Sequence, residues 1–306
     1  MASRRPTFTQ DVSLVDLISE FGSEDRCREY LEALRWPQGV RCIRCGSDKI
    51  SRIKKRDQFD CDNCTYQFSV RAGTILHDSH LPLWKWFLAV YVMGESKKGV
   101  SANQLKRMLD VSYKTAWYLC HRIRSAMVDP EPEGLTGIVE ADETYVGNIK
   151  RGALGGRHLS GNRMAVIGAV ERGGRVRLKV SERVDRKALH AFLKDVLADD
   201  TEALYTDEWM PYRGMASDSM SHKTVNHGRK QWVQGDVHTQ TIEDVWSLFK
   251  RSIIGSYHHL SVKHLQAYLD EMAFRYNNRE NAYLFRDTLL ALVGADSKPY
   301  AELIAG

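Results

Sequence analysis

The sequence predicts a multidomain α+β protein, with a small cysteine-bearing and helical part ahead of a larger mixed α/β domain. Three observations carry that expectation. Four of the six cysteines fall in two C-x2-C pairs separated by fifteen residues. Positive charge is concentrated at the front: residues 1–129 hold 21 Lys and Arg against 15 Asp and Glu, whereas 130–306 hold 23 against 24. The third is a change from helical to strand-like hydrophobic periodicity. It follows the acidic, proline-broken stretch Asp129-Pro130-Glu131-Pro132-Glu133-Gly134, which reads as a linker.

The 306 residues suffice for two or three domains, and the net charge of +5, all of its excess in the first part, suits a polyanionic partner. No uncharged apolar run of about eighteen residues exists, so a membrane span is not expected. The N-terminal MASRRPTFTQDVS has no apolar stretch after its two arginines, which argues against a secretory signal. A cytoplasmic address is the expectation.

Residues 1–38 are expected to hold two short amphipathic helices within 11–36, Ser23 capping the second with Glu24 and Asp25 in its first turn. Residues 39–70 follow as a compact ribbon. In an intracellular chain, paired C-x2-C favours metal over disulfides. Two knuckles, Cys42/Cys45 and Cys61/Cys64, can close a tetrahedral site, with Gly46 where a turn residue is wanted. Four protein ligands leave no open position, so the expected Zn2+ is structural. The run Ile50–Arg56 is strand-like and basic; through Lys54, Lys55 and Arg56 the ribbon either touches DNA or only props its neighbour. Cys27 and Cys120 sit in apolar helical patterns and read as small buried hydrophobes.

Residues 80–128 are expected to form a helix-turn-helix unit. An apolar helix over Leu81–Met93 precedes two helices, about 101–109 and 112–127, separated by Asp110-Val111-Ser112. A helix capped after a three-residue turn has the shape that enters a major groove. Tyr113, Lys114 and Thr115 would stand at its tip, with Arg122 and Arg124 reaching phosphates. The plain alternative is a helical hairpin with a solvated basic face.

Residues 135–290 are expected to form the α/β domain. GIVEADETYVG, RMAVIGAVERGG and RVRLKVSERV are three strands, and DRKALHAFLKDVLA is a helix capped by Asp185. EALYTDEW and SHKTVNHG give two further strands, before helices near 239–254 and 261–277. That order is ribonuclease-H-like, a mixed sheet flanked by helices. Strand alternation puts Glu140, Asp142 and Thr144 on one face, with Glu143 on the other. Asp207 ends a strand and Glu243 lies on a helix. Carboxylates so placed suit two Mg2+ ions about 4 Å apart, which activate a nucleophile and stabilise the leaving oxygen in phosphoryl transfer. Hard oxygen ligands favour Mg2+, with Mn2+ able to substitute. Lys250, two helical turns beyond Glu243, shares its face and suits a DNA phosphate.

Thirty-five residues separate Asp207 from Glu243, and this D…D-x35-E-x6-K arrangement resembles that of DDE transposases. The phrase His238-Thr239-Gln240-Thr241-Ile242-Glu243, with Trp246 and Lys250-Arg251, is similar to the ISXO-like insertion-sequence transposases, relatives of the Merlin elements. The likeness extends to the cysteine ribbon, Ala141–Tyr145, Tyr205-Thr206-Asp207, Tyr257-His258-His259 and Arg275–Arg279, covering about residues 25–280. It implies a bacterial, nucleoid-associated enzyme. Such an enzyme binds element terminal repeats in duplex DNA, cleaves the ends by Mg-dependent hydrolysis and joins the 3′-hydroxyls to target DNA, as a homodimer or larger oligomer.

Where many members carry Asn this chain has Gln240, so the third metal ligand is expected at Glu243 beside Asp142 and Asp207. Trp246 and Phe249 read as core. His258-His259 and the Gly-rich basic segment 150–163 (Lys150, Arg151, Arg157, His158, Arg163) are candidate DNA contacts. Two rival readings are a non-catalytic transposase-derived regulator, which the loss of a carboxylate would favour, and a nuclease of the same fold, which would not require the DNA-reading front end.

Overall fold

Ser13 and Ser23 start the first two helices, α1 (Leu14–Phe21) and α2 (Glu24–Arg35). Ser13 accepts from the Asp16 backbone N–H while the Asp16 carboxylate accepts from that of Ser13, so the two caps are reciprocal. The computed structural model describes residues 12–129, 131–147, 163–216, 220–225, 235–258 and 260–305. The chain divides into two units, one of residues 1–127 with 280–306 and one of 128–279.

In the first unit, strands β1 (Ile50–Ile53), β2 (Gln58–Cys61) and β3 (Gln67–Phe68) form an antiparallel sheet in that order. Its small core joins Cys42, Phe59, Cys61 and Phe68, with Trp36 edge-on to Phe59 at 5.5 Å. Three helices follow, α3 (Leu83–Glu95), α4 (Ala102–Leu109) and α5 (Tyr113–Ala126). Ser101 and Ser112 cap the last two, and Asp110, in the left-handed region at φ 48°, ends α4. Cys27 and Cys120 are buried.

The second unit is a five-stranded sheet built from β4 (Leu135–Val146), β5 (Met164–Glu171), β6 (Val176–Ser181), β7 (Leu197–Asp207) and β8 (Ser221–Val225). Helix α6 (Arg186–Val196), capped by Asp185, precedes β7; α7 (Gln240–Ser252) and α8 (Leu265–Asn277) come last. Strand order is β6-β5-β4-β7-β8, the first three antiparallel and the last two parallel to β4. This is the expected ribonuclease-H-like sheet. The latter part of the SHKTVNHG run lies outside the described residues.

The two faces of the sheet have separate cores. Val139, Ala141 and Ile167 pack with Leu189, Phe192 and Leu193 of α6. On the other face Val166, Val170 and Val176 pack with Ile242, Val245, Trp246 and Phe249 of α7 and with Leu265 and Leu269 of α8. After Arg279 the chain returns to the first unit as α9 (Leu284–Gly294) and α10 (Tyr300–Ala305). Helix α9 buries Phe285, Leu289 and Leu292, and the Phe285 ring meets Phe21 at 5.9 Å and Phe87 at 5.7 Å.

Phe285→Ala should therefore destabilise the first unit by about 3 kcal/mol. Hydrogen exchange should quicken in α2 and α3 and stay unchanged in β4–β8; uniform quickening, or none, would contradict this division of the chain.

Candidate active site

Strand β4 runs through the middle of the second sheet, and its pleat sorts the acids. Glu140, Asp142 and Thr144 face α7, while Glu143 turns toward the α6 side, where the Tyr212 hydroxyl donates to its carboxylate at 3.1 Å. Glu140 pairs with Tyr205 of the parallel strand β7. Asp142 and Asp207 each lie two residues beyond that pair, and so occupy neighbouring strand ends. Asp207 is the last residue of β7, and its carboxylate accepts from the Trp209 backbone N–H at 3.0 Å.

Helix α7 brings Glu243 across from the other side. Its Trp246 is buried, as expected of core, yet it also donates from Nε1 to Asp142 Oδ2 at 3.0 Å. The ring fits because the residue beside Asp142 on β5 is Gly168; a Cβ there would stand 2.6 Å from Trp246 Cη2. A cavity of about 440 Å³ opens at this point, lined by Asp142, Glu143, Glu243, Lys250, Arg251 and Ile254 among others. Glu243 and Lys250 are exposed on one stripe of α7, as two helical turns require. Asp207 and Gln240 are not part of the lining. Among the described residues, the three expected carboxylates are not drawn within 4.8 Å of one another; only the four cysteines are.

Burial pushes the Asp142 carboxyl up to about 7, and the negative charges of Glu143 and Asp207 add to the shift; backbone and Trp246 hydrogen bonds oppose it. Hard oxygen donors that repel one another fit a divalent cation of the Mg2+ kind. Glu140 is fully buried and bound to the first turn of α7. Strand alternation had placed it on Asp142's face but assigned it no role.

In the first unit, Sγ atoms of Cys42 and Cys64 lie 3.6 Å apart, as do those of Cys45 and Cys61. Four sulfurs around one zinc at about 2.3 Å require edges near 3.8 Å, so the set fits that ion. The Ser47 backbone N–H and the Asn63 amide hold the Cys45 thiol down to about 6. Desolvation and its hydrogen bond to Cys45 push Cys64 up to about 12. Lys54, Lys55 and Arg56 form an exposed turn between β1 and β2 rather than a continuous strand.

Tyr113 and Lys114 are exposed at the start of α5 and Thr115 half-buried, with the Lys114 ammonium 4.9 Å from the centre of the Tyr300 ring. Arg122 and Arg124 correct the sequence reading. They are only 1% and 2% exposed, and Arg122 donates to the His77 carbonyl at 2.6 Å while lying over the Trp86 and Tyr118 rings. Neither is open to phosphate. Of the candidate loop contacts, Arg163 lies over the Tyr145 ring at 4.3 Å, whereas Lys150, Arg151, Arg157, His158 and His259 are outside the described residues.

Residues 134–277 match the sequence profile described as the ISXO2-like transposase domain, and residues 22–67 match that of the transposase zinc-ribbon domain. An uncharacterized protein in transposable element ISH50 of Halobacterium salinarum is 32% identical over 254 residues, 76% of this chain and 84% of the relative. Two solved structures show faint likeness. A chain of the simian T-cell lymphotropic virus intasome with PP2A regulatory subunit B56 gamma is 13% identical, with a TM-score of 0.30 over 56% of this chain and 63% of that one. This chain thus spans less than two thirds of its length. The Mos1 strand transfer complex is 10% identical, with a TM-score of 0.30 over 68% and 75%. At these scores neither likeness bears on function.

The Asp142 shift has a stability consequence. Its folded carboxyl holds a proton where the unfolded one, near its ordinary 3.8, has lost it, so stability falls as pH rises from about 4 to about 7. Asp142→Asn escapes that loss. In buffer free of divalent cations the variant should be more stable than wild type by roughly 1–3 kcal/mol at pH near 8, converging toward it near pH 4. Urea unfolding across that range would show it, and parallel pH profiles would refute the assignment.

Proposed function

The chain belongs to the ISXO2-like transposase family, and from that membership we propose its chemistry: cleavage of element ends by metal-dependent hydrolysis, then joining of the freed 3′-hydroxyls to target DNA. The observation that carries the reading is the cavity where Asp142, Glu243 and Lys250 meet, beside the strand end that bears Asp207. Asp142, Asp207 and Glu243 would hold Mg2+, or Mn2+ in its place. Such an ion, if held there, would supply the Lewis acidity that activates water or a 3′-hydroxyl and stabilises the leaving oxygen.

The remaining work falls to side chains of this chain. Lys250 and Arg251 on the cavity wall hold and orient the phosphate backbone, turning an encounter into a fixed geometry. Trp246 fixes the orientation of Asp142 and excludes water from behind it. In the first unit, residues 39–70 form a ribbon closed by one structural Zn2+ on Cys42, Cys45, Cys61 and Cys64. Residues 80–128 act as the helix-turn-helix that reads the terminal repeat, with Tyr113, Lys114 and Thr115 entering the major groove. Lys54, Lys55 and Arg56 contact phosphate. Residues 135–290 include the catalytic machinery. Two ends must be held together for joining, which calls for at least a homodimer on DNA, and DNA as substrate places the enzyme at the nucleoid.

Strand transfer from labelled element-end DNA into a target plasmid with Mg2+ tests this reading. Asp142→Asn, Asp207→Asn and Glu243→Ala should each lower joining by about 100-fold or more while end binding persists. Joining by Glu243→Ala would move the third ligand elsewhere, with Gln240 the next to replace. End binding without joining by wild type would favour a DNA-binding regulator. Metal analysis of the purified protein should find one zinc per chain, lost in Cys61→Ser together with the fold of the ribbon; full retention of zinc would contradict the four-cysteine site.

A further inference from the structure

Helix α7 carries Glu243 in its first turn, and Thr239, at the N-cap position, makes no side-chain capping bond, although the Gln240 N–H is met locally by His238 Nδ1 at 3.4 Å. The Thr239 hydroxyl donates instead to Glu243 Oε1 at 3.2 Å. The next two backbone donors, which an N-cap side chain would take, are satisfied from elsewhere. Glu140 Oε2 on β4 accepts from the backbone N–H of Thr241 at 2.7 Å and of Ile242 at 3.1 Å, and Oε1 accepts from the Thr241 hydroxyl at 2.9 Å. The cap therefore comes from a residue 101 positions earlier, two residues before Asp142 on the same strand.

Arg172 completes the arrangement. Its Nε donates to Glu140 Oε1 at 2.7 Å, while its two terminal nitrogens donate to the carbonyls of Asp236 and His238 at 2.9 and 3.1 Å. One guanidinium thus neutralises the buried carboxylate and grips the chain that leads into α7. A carboxylate with no exposure needs such partners, and they come from the first turn of α7 and from Arg172, which follows β5 and itself holds the approach to α7. The helix start cannot shift along β4 without stripping donors from a buried charge.

We propose that Glu140 is a positioning residue for the transposase site, one that fixes Glu243 relative to Asp142 by capping α7 from the strand that bears Asp142, with Arg172 as its clamp. It touches neither substrate nor metal. The proposal rests on the reading of Asp142 and Glu243 as metal ligands, and acts on the geometry between them.

The test uses the full-length, zinc-loaded chain and Mn2+ alone as probe, with binding followed by calorimetry. Glu140→Gln keeps the shape but turns an amide group toward donors and removes the charge that pairs with Arg172. Mn2+ affinity should fall by about 10–100-fold, and turnover at saturating end DNA should fall with it, while the Kd for end DNA stays at the wild-type value. Thr241→Val removes only one hydroxyl bond and should shift both quantities in the same direction by less, which covers the case in which Glu140→Gln fails to fold. Wild-type Mn2+ affinity and turnover in the folded variants would overturn the proposal, as would a loss confined to DNA affinity. Asp142→Asn serves as reference. If it binds Mn2+ like wild type, the carboxylate site itself is misread; if it loses binding while Glu140→Gln does not, only the positioning role fails.

Discussion

A strand in the middle of a sheet has no freedom over which way its side chains point. Strand β4 is covered by α6 on one face and α7 on the other, so every second residue is committed to one of two interiors. Val139 and Ala141 satisfy the first with hydrocarbon. The second receives Glu140, Asp142 and Thr144, and that choice dictates what lies above them. Glu140 requires backbone N–H groups and a guanidinium, which fixes where α7 begins. Asp142 requires a donor, and Trp246 supplies it from the same helix over a residue, Gly168, that leaves room for the ring. The helix therefore lies where the acids of β4 need it, and Glu243 is carried along with it.

The same arrangement holds the site in an unfavourable charge state. Burial raises the Asp142 carboxyl most and the charges of Glu143 and Asp207 add to it, so the fold accommodates mutual repulsion at the place where a cation would relieve it. Hydrophobic burial on the α6 side, through Leu189, Phe192 and Leu193, stabilises the sheet against this repulsion.

Much of this was legible in the sequence, for identifiable reasons. Period-two alternation put Asp142 and Glu140 on one face, and seven-residue spacing put Lys250 below Glu243. Cysteine spacing closed the ribbon, where a thiolate cluster depends on local turns. Partners distant in sequence escaped notice. Nothing near Glu140 announces Thr241 or Arg172, and a tryptophan that packs and donates looks the same in a sequence as one that only packs. Arg122 and Arg124 misled because periodicity reports amphipathicity and not what covers each face. Helix α5 is packed against α3 and α9, so even its arginines are enclosed, and the charge of Arg122 is met by a carbonyl and two rings. The last helices carry apolar residues but no mark of which unit they join.

That return of the chain sets an order on biosynthesis. Phe285 sits among Phe21 and Phe87, so the interior of the first unit stays open until the ribosome has made the whole of the second and gone some way beyond it. A polypeptide interrupted before Leu284 can possess every carboxylate of the candidate site and still lack a finished partner for α2 and α3. Nascent chains are thus denied a completed front unit until the catalytic sequence has been translated in full.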